Sequence, residues 1–391
     1  MVNRMAGSPT KILILMSATG GGHLATARAL KSTIEQLYGA RFQVDIVDLL
    51  VDHMPWPFKS FPESYRFTMN NAPWLHGFAY EAGMRSTTSK SLLRASYEIV
   101  RKPVSEALEH YCPDLIISVH PLLQTVPLRV LRVRGYTAPF VTVVTDLVSV
   151  HPVWFDPRVA LCFVPSEDVR KLALRAGLQA DQVRVSGLAL RPEFAEPPRP
   201  KDVLRHELGI APDLPAVLLV SGAEGTGPLD EIAETLAYRL SGAGPNTALL
   251  GQIVVVCGHN QRLLARLEGR HWPVPLCVTG FVDNMWDWMA ACDCIVTKAG
   301  PGTIAEALTR GLPILLSGYV PGQEEGNVDY VLENRVGAFI EKPAGISDTV
   351  AGWFGSERHV LEEMSEKACQ IARPGASFEI IHATVSLLET A

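Results

Sequence analysis

The sequence lacks any apolar run close to the ~18 to 20 residues that a transmembrane helix needs, and it lacks a signal-peptide pattern at its start. Its seven cysteines form no C-x-x-C pair, and thiols within mostly apolar runs are typical of a reduced protein. No basic run with interleaved aromatic residues indicates nucleic-acid binding. These absences predict a reduced protein, soluble or peripheral to a membrane, with no nucleic-acid partner.

What is present is the composition of a packed globular protein, with 47% hydrophobic and 19% charged residues. A chain of 391 residues is too long for one ordinary core, which predicts two domains. Residues 1–196 contain 21 Lys+Arg and 17 Asp+Glu, whereas the remainder contains 14 and 24. The basic N-terminal half is consistent with an anionic surface as partner and equally with ordinary scatter.

Short β-rich runs alternate with helical patterns throughout the chain, which predicts βαβ units and parallel sheets. A proline-rich segment, Arg191 to Asp202, interrupts the alternation and is the predicted linker. The predicted fold is therefore α/β, with two doubly wound, Rossmann-like domains, 1–195 and 196–374, facing a cleft. Residues 375–391 are predicted to form a C-terminal helix that crosses back to the first domain. The predicted strands are Lys11 to Met16, Phe42 to Leu49, Asp114 to Val119, Phe140 to Thr145, Val159 to Val164, Val183 to Ser186, Ala216 to Val220, Ile253 to Cys257, Leu276 to Thr279, Cys294 to Thr297 and Ile314 to Leu316.

The first strand runs into "SATGGGH", which has neither the G-x-G-x-x-G pattern nor the Lys-Ser/Thr pair of a P-loop. Three glycines before a helix allow a ligand to approach the backbone closely. His23 would lie at the positive end of that helix, which favours the neutral imidazole. His23 is thus either a general base or a simple helix cap, and the pattern leaves both open.

Three further loops follow strands in the second half. "SGAEGTGP", from Ser221 and Gly222 onward, can surround a phosphate with amides and hydroxyls. "KAGPGTIAEAL" offers helix-terminal amides near Gly302 and Thr303, and Glu306 one turn later suits the hydroxyls of a ribose. The third loop carries groups that grip sugar hydroxyls, namely Gln323, Glu324 and Asn327. Together these loops predict a nucleotide-sugar site.

The segment from Asp52 to Leu93 concentrates aromatic residues beside Lys and Arg. Rings at headgroup level with neighbouring cations are what an interfacial membrane-binding element needs. An ordinary satellite core under a long loop would give the same pattern. The rings predicted to contact a membrane are Trp56, Phe58, Trp74 and Phe78.

The combined motifs resemble glycosyltransferases of the GT-B fold in family 28, in particular monogalactosyldiacylglycerol synthases. The matching stretches are "TGGGH", "PDLIISVHPLLQ", "VTDLVSVHPVWF", "SGAEGTGP", "GFVDNMWDWMAACDCIVTKAGPGTIAEAL" and "GLPILLSGYVPGQEEGNVDYV", which extend over nearly the whole chain. The resemblance implies inverting transfer of galactose from UDP-galactose to the hydroxyl of 1,2-diacylglycerol. Such a reaction needs a base for the acceptor proton and a means of stabilising the departing UDP.

By this likeness His23 is the candidate base, and Asp146 either orients it or serves instead. His151 would shape the acceptor side, where Gly21 and Gly22 offer a bare backbone. For the donor, the likeness places uracil at Gly280, Phe281 and Val282, ribose at Glu306 and galactose at Gln323 and Glu324. It places the diphosphate at Ser221, Gly222, Gly302 and Thr303.

The sequence contains no D-x-D motif that would hold a metal at the diphosphate, so we expect neither metal nor cofactor beyond the donor substrate. The resemblance also implies a peripheral protein at the cytoplasmic face of a membrane, with anionic lipids as further partners. Because only ten residues precede the first predicted strand and no plastid-type transit pattern is seen, we expect a bacterial-type chain or a trimmed plastid protein. Two alternatives remain at this stage. One is a diacylglycerol glucosyltransferase that uses UDP-glucose, and the other is a soluble nucleotide-sugar epimerase or nucleotide-binding module.

Overall fold

The computed structural model describes residues 9–19, 21–71, 86–242 and 248–389. The chain divides into two compact units. Unit 1 comprises Met1–Pro192, Val320–Gln323 and Gly375–Ala391, and unit 2 comprises Glu193–Tyr319 and Glu324–Pro374. The division at Pro192 falls within the proline-rich segment, and a short 3₁₀ helix, Pro192–Ala195, lies there.

Unit 1 contains a six-stranded sheet in which all neighbouring strands are parallel. Its strand order is β2-β1-β3-β4-β5-β6, so the order reverses between β1 and β3. A ligand site in such a sheet lies outside the carboxyl ends of the strands at this reversal. The strands are β1 (Thr10–Met16), β2 (Phe42–Asp48), β3 (Leu115–Ser118), β4 (Phe140–Val143), β5 (Leu161–Val164) and β6 (Val183–Val185).

Helices connect these strands, as the alternating pattern predicts. They are α1 (Gly21–Tyr38), α2 (Leu49–His53), α3 (Phe61–Asn71), α4 (Ser86–Tyr111), α5 (Thr125–Arg134) and α6 (Glu167–Arg175), with 3₁₀ helices at Gly39–Arg41, Phe58–Ser60, Pro121–Leu123 and Pro152–Trp154. The fully buried strands β3, β4 and β5 are continuous apolar runs because helices cover both faces of the sheet. Because both faces of the sheet are covered, a ligand can reach this sheet only at the ends of its strands.

A last helix, α15 (Ala376–Glu389), packs beside α1 within unit 1. Its buried residues Ile380, Ile381 and Val385 join the cluster that contains Leu30 and Ile34 of α1. The Ser377 hydroxyl donates to the Leu190 carbonyl at the start of this helix. The C-terminus of the chain therefore contributes to the core of unit 1.

Unit 2 repeats the architecture with a second parallel six-stranded sheet. Its order is β12-β11-β10-β7-β8-β9, so the reversal lies between β7 and β10. The strands are β7 (Ala216–Val220), β8 (Gln252–Val256), β9 (Leu276–Thr279), β10 (Cys294–Lys298), β11 (Ile314–Gly318) and β12 (Gly337–Phe339). The helices are α7 (Lys201–Leu208), α8 (Leu229–Leu240), α9 (Gln261–Glu268), α10 (Met285–Ala291), α11 (Pro301–Thr309), α12 (Glu325–Glu333), α13 (Pro343–Phe354) and α14 (Arg358–Ile371).

The predicted α/β fold with two parallel sheets is confirmed, and eleven of the twelve strands were expected. The strand that the sequence did not predict, β12, has only three residues and includes a glycine. It needs that glycine because a Cβ on Gly337 would overlap the backbone oxygen of Ile314 in β11. Its formation depends on the neighbouring strand rather than on local propensity.

Candidate active site

The loop between β1 and α1 is held in place before it reaches the glycines. The Ala18 N–H donates to Asp48 Oδ2 at 2.8 Å, and Thr19 Oγ1 lies 2.7 Å from His120 Nε2. Gly20 lies outside the described residues. Helix α1 begins at Gly21, and a Cβ on Gly22 would meet nothing within 4 Å. The backbone at Gly22 therefore borders open space immediately beside His23.

His23 lies at the reversal point of the unit 1 sheet, in the first turn of α1, and is 8% exposed. Its Nδ1 is 2.8 Å from the carbonyl oxygen of Val119 and 3.0 Å from Thr145 Oγ1. A carbonyl only accepts hydrogen bonds, so Nδ1 carries the proton and Nε2 is the unprotonated nitrogen. Burial lowers the pKa of His23 to about 4. At neutral pH the ring is thus neutral, the form that can accept a proton.

A second buried histidine, His120, adjoins the first, with ring centroids 4.6 Å apart. The Leu122 N–H donates to His120 Nδ1, so Nε2 carries the proton and donates to Thr19 Oγ1. Burial, followed by the proximity of His23, lowers the pKa of His120 well below its ordinary value. No role was predicted for His120, because its contact with Thr19 joins residues that are 101 positions apart in the chain.

The two histidines predict that the protein loses stability in acid. The pKa of His23 falls from 6.5 in the unfolded chain to about 4 in the folded one, so the unfolded chain binds an extra proton between these values. The loss on acidification through this window is about 3 kcal/mol for His23 alone. Chemical unfolding at several pH values should show a smaller loss in His23→Asn, whose amide nitrogen can still donate to Val119. An equal loss in both proteins would contradict this prediction.

Asp146 follows β4 and is buried, and its Oδ2 accepts a 2.7 Å hydrogen bond from Trp154 Nε1. The Trp154 ring is fully buried, with its centroid 6.3 Å from that of His23. His151 is half-buried and caps the 3₁₀ helix Pro152–Trp154 by accepting from the Val153 N–H at 3.2 Å. The structure thus groups His23, Asp146 and Trp154, and it gives His151 a local capping contact.

The aromatic segment is described only in part. Trp56 is 78% exposed and Phe67 is 69% exposed, and the cation Lys59 is also exposed. Phe58, in contrast, is half-buried and packs against the core cluster that contains Met54. Trp74 and Phe78 lie outside the described residues. The exposed Trp56 and Phe67 therefore match the membrane-binding interpretation, whereas Phe58 matches the interpretation as a satellite core.

In unit 2 the loop after β7 lies at the reversal point of the sheet. Ser221 is buried, and Gly222 and Gly225 adopt positive φ angles of 62° and 54°. A Cβ on Gly225 would overlap the backbone oxygen of Cys257, which follows β8. Only glycine fits this position, so the loop is locked against the end of the neighbouring strand.

The helix α11 begins at Pro301 on the other side of the reversal point. Gly302 and Thr303 lie in its first turn, and a Cβ on Gly302 would meet nothing within 4 Å. Glu306 is half-buried one turn later on the same helix. The order reversal of the sheet therefore brings the two predicted phosphate-binding loops to neighbouring strands, β7 and β10.

An ion pair between a half-buried lysine and a buried carboxylate lies at the start of α11. Lys298, the last residue of β10, donates from Nζ to Glu324 Oε1 at 2.5 Å, and Glu324 is 5% exposed at the N-cap of α12. Asn327 is buried and donates from Nδ2 to the Ala299 carbonyl at 2.9 Å. Gln323, the residue before Glu324, is half-buried and belongs to unit 1. The sequence assigned no role to Lys298, whose partner is 26 residues away.

The loop after β9 contains Gly280, Phe281 and Val282. The exposed Phe281 ring stacks on His259, with centroids 4.4 Å apart and planes 5° from parallel. Gly280 lies beside the β8 end, since its Cβ would be 3.7 Å from the Gly258 carbonyl oxygen. His259 was not predicted to take part, and it extends the predicted uracil position into a platform of two stacked rings.

The described ranges contain no helix that is both long and apolar enough to cross a membrane. Within the same ranges, no group of three or more His, Cys, Asp or Glu side chains is placed to hold a metal ion. The free cysteines are mostly buried, and Cys112 and Cys369 are exposed.

Comparison with solved structures identifies the class of fold. MurG of Acinetobacter baumannii superposes with a TM-score of 0.62 at 15% identity, covering 97% of this chain and 100% of MurG. UDP-GlcNAc 2-epimerase from Neisseria meningitidis bound to UDP-GlcNAc superposes with a TM-score of 0.57 at 13% identity, covering 96% and 100%. These similarities show the fold alone. Two parallel six-stranded sheets with flanking helices place the chain in the GT-B class, as predicted.

Sequence comparison identifies the family. The family model described as monogalactosyldiacylglycerol (MGDG) synthase matches residues 23–190, and the model for the glycosyltransferase family 28 C-terminal domain matches residues 217–330. Monogalactosyldiacylglycerol synthase 1, chloroplastic, of Arabidopsis thaliana is 47% identical over 379 residues, which cover 96% of this chain and 71% of the relative. The chain belongs to the monogalactosyldiacylglycerol synthase family, as its motifs predicted.

Proposed function

We propose that this protein is an inverting hexosyltransferase that moves galactose from UDP-galactose to 1,2-diacylglycerol. Membership of the monogalactosyldiacylglycerol synthase family supports this donor and acceptor. The observation that carries the chemistry is the neutral, buried His23, whose Nδ1 proton is committed to Val119. The product is β-monogalactosyldiacylglycerol. Membership of this family does not favour the alternative of a soluble epimerase.

The reaction proceeds by a single displacement at the anomeric carbon. His23 Nε2 takes the proton of the acceptor hydroxyl as its oxygen attacks, while the bond from the anomeric carbon to the UDP oxygen breaks. The electron pair of that bond leaves with UDP, and the α-linked donor becomes a β-linked product. Asp146 is held by Trp154 and acts beside His23 as the positioning carboxylate. Gly22, where a Cβ would meet nothing within 4 Å, leaves space at the backbone for the glycerol end of the acceptor, and Gly21 precedes it at the start of α1.

The donor is held by the loops that follow the strands of unit 2. Ser221 and Gly222 and the first turn of α11, at Gly302 and Thr303, receive the diphosphate through hydroxyl and amide donors. Glu306 accepts from the ribose hydroxyls, and Gln323, Glu324 and Asn327 form the galactose end. Uracil lies at Gly280, Phe281 and Val282. These groups supply the charge stabilisation, so the reaction needs no cofactor or metal.

Diacylglycerol remains in the bilayer, so we place the protein at a membrane surface, peripherally and on the cytoplasmic face in a bacterial setting. The relatives' names place those proteins in the chloroplast. The exposed Trp56 and Phe67, with Lys59 between them in sequence, supply rings for the interface and a cation for anionic lipid. Phe58 packs against the core beside this surface, and Trp74 and Phe78 belong to the same aromatic segment of the sequence but lie outside the described residues.

Trp56→Ser should weaken binding to vesicles that contain anionic lipid by about tenfold, because a large exposed ring loses its place at the headgroup level. Co-sedimentation over a lipid titration measures the effect. Tyr238→Ser provides the control, since this ring is 82% exposed on unit 2 and lies outside the proposed surface. Equal binding of the Trp56 variant and the wild type would remove Trp56 from the membrane contact.

Galactosyl transfer is tested by assaying the purified protein in mixed micelles of diacylglycerol with UDP-galactose and UDP-glucose side by side. We expect faster transfer from UDP-galactose. Faster transfer from UDP-glucose would identify a glucosyltransferase instead. Conversion of the free sugar nucleotide without any glycolipid would overturn the transferase assignment.

A further inference from the structure

The ion pair between Lys298 and Glu324 lies where the donor loops of unit 2 converge. A Cβ placed on Gly222 would be 3.9 Å from Lys298 Cε, and one on Gly300 would be 3.7 Å from Lys298 Nζ. The same Gly300 position is 3.9 Å from Glu324 Oε1 and 4.0 Å from Thr303 Oγ1. The ammonium group is therefore close both to the loop after β7 and to the first turn of α11.

The two side chains of this ion pair differ in their exposure to solvent, unlike those of an ordinary surface salt bridge. Glu324 is almost fully buried, whereas about a third of the Lys298 side chain remains exposed. A buried carboxylate needs a cationic or hydrogen-bonding partner, but a partly exposed ammonium can exchange one anion for another at little cost. Lys298 can therefore leave Glu324 for another anion, while the buried Glu324 side chain stays in position.

We propose that Lys298 is the cation that stabilises the departing diphosphate, and that it exchanges Glu324 for the donor when UDP-galactose binds. This inference rests on the proposed function. As the bond from the anomeric carbon breaks, its electron pair moves to the β-phosphate oxygen, where the Lys298 charge meets it without giving up a proton. Glu324, released from Lys298, then accepts hydrogen bonds from the galactose hydroxyls. One residue pair therefore couples diphosphate binding to recognition of the sugar.

The exchange predicts opposite effects of substitutions at the two ends of the pair. Lys298→Met should weaken UDP binding about tenfold and lower kcat by about 100-fold, as loss of one preorganised charge donor does. Uridine, which has no phosphate, should bind both proteins within about twofold. Glu324→Gln should tighten UDP binding several-fold, because Lys298 no longer has a competing anion. Calorimetric titration with UDP and with uridine measures these affinities.

The double variant Lys298→Met with Glu324→Gln distinguishes this role from a structural one. If Lys298 only neutralises a buried carboxylate, removing both charges should restore UDP affinity to the wild-type value. If Lys298 binds the diphosphate, the double variant should remain as weak as Lys298→Met. Lys298→Arg should recover part of the affinity. Lys342→Met, which removes an exposed cation at the N-cap of α13, provides the control and should leave UDP binding unchanged.

Restored UDP affinity in the double variant, or weaker UDP binding by Glu324→Gln, would overturn the exchange. These measurements use UDP without a transferable sugar, so they do not depend on which sugar or acceptor is used. Wild-type protein that binds UDP but transfers no galactose would defeat the proposed function and leave the ion-pair result standing. Active wild-type protein with an unaffected Lys298→Met variant would defeat the inference alone.

Discussion

His23→Asn should lose galactosyl transfer by roughly 100-fold or more, since removing a general base typically costs about 10² to 10⁴ in rate. The asparagine amide nitrogen takes the place of Nδ1 and can keep the hydrogen bond to the Val119 carbonyl. No acceptor nitrogen then remains at the place of Nε2. The substitution thus removes the base and preserves the contact that holds this turn of α1 to β3.

Initial rates at saturating UDP-galactose, together with calorimetric UDP affinity, measure the effect of His23→Asn. UDP affinity should stay within a few-fold of the wild type, because no UDP contact is assigned to His23. His206→Asn, an exposed histidine of α7, is the matched control and should retain full activity. If His23→Asn remains active and Asp146→Asn is inactive, the base is Asp146 and the two roles are reversed.

Gly225→Ala should disable the donor loop of unit 2. The added Cβ would overlap the carbonyl oxygen of Cys257 and lie 3.0 Å from its carbonyl carbon, in a residue whose φ is +54°. The left-handed backbone costs roughly 1–2 kcal/mol for alanine, and overpacking adds about 1–3 kcal/mol. The loop must move away from the end of β8, so we expect UDP affinity to fall by roughly tenfold or more and Tm to decrease.

Gly209→Ala separates these two costs. Gly209 caps α7 with a φ of +70°, but its Cβ would meet nothing within 4 Å. This control bears the backbone strain without the overlap, and it should keep wild-type UDP affinity. Equal decreases in Tm for the two variants would show that the contact with Cys257 does not hold the loop.

The sequence predicted the strands of both sheets well because buried parallel strands are continuous apolar runs that end in glycine, proline or polar residues. The points at which the strand order of each sheet reverses could not be predicted from the sequence, because strand order depends on pairings between distant segments. Without that order, nothing in the sequence places the loop after β7 beside α11. The missed strand β12 has the same cause, since three residues carry no pattern of their own.

The candidate residues were found where a local motif marks them, and their partners were missed where contacts are long-range. His23 could be identified because three glycines directly precede it. Val119 and Thr145, which fix its tautomer, are 96 and 122 positions away in the chain. Lys298 lies within a recognisable motif, but its role was not predicted because its partner Glu324 is supplied by another loop. The aromatic segment shows a further limit, since neighbouring rings of the same kind differ in burial. Trp56 is exposed and Phe58 packs on the core, a difference that tertiary packing decides.

The most direct test of inverting galactosyl transfer is the anomeric configuration of the glycolipid, determined by proton NMR after incubating the purified protein with UDP-galactose and diacylglycerol in micelles. A base that activates the acceptor for a single displacement predicts β-galactosyl diacylglycerol as the product from the first turnover onward. An α-galactoside, or UDP-glucose formed in place of a glycolipid, would contradict the account.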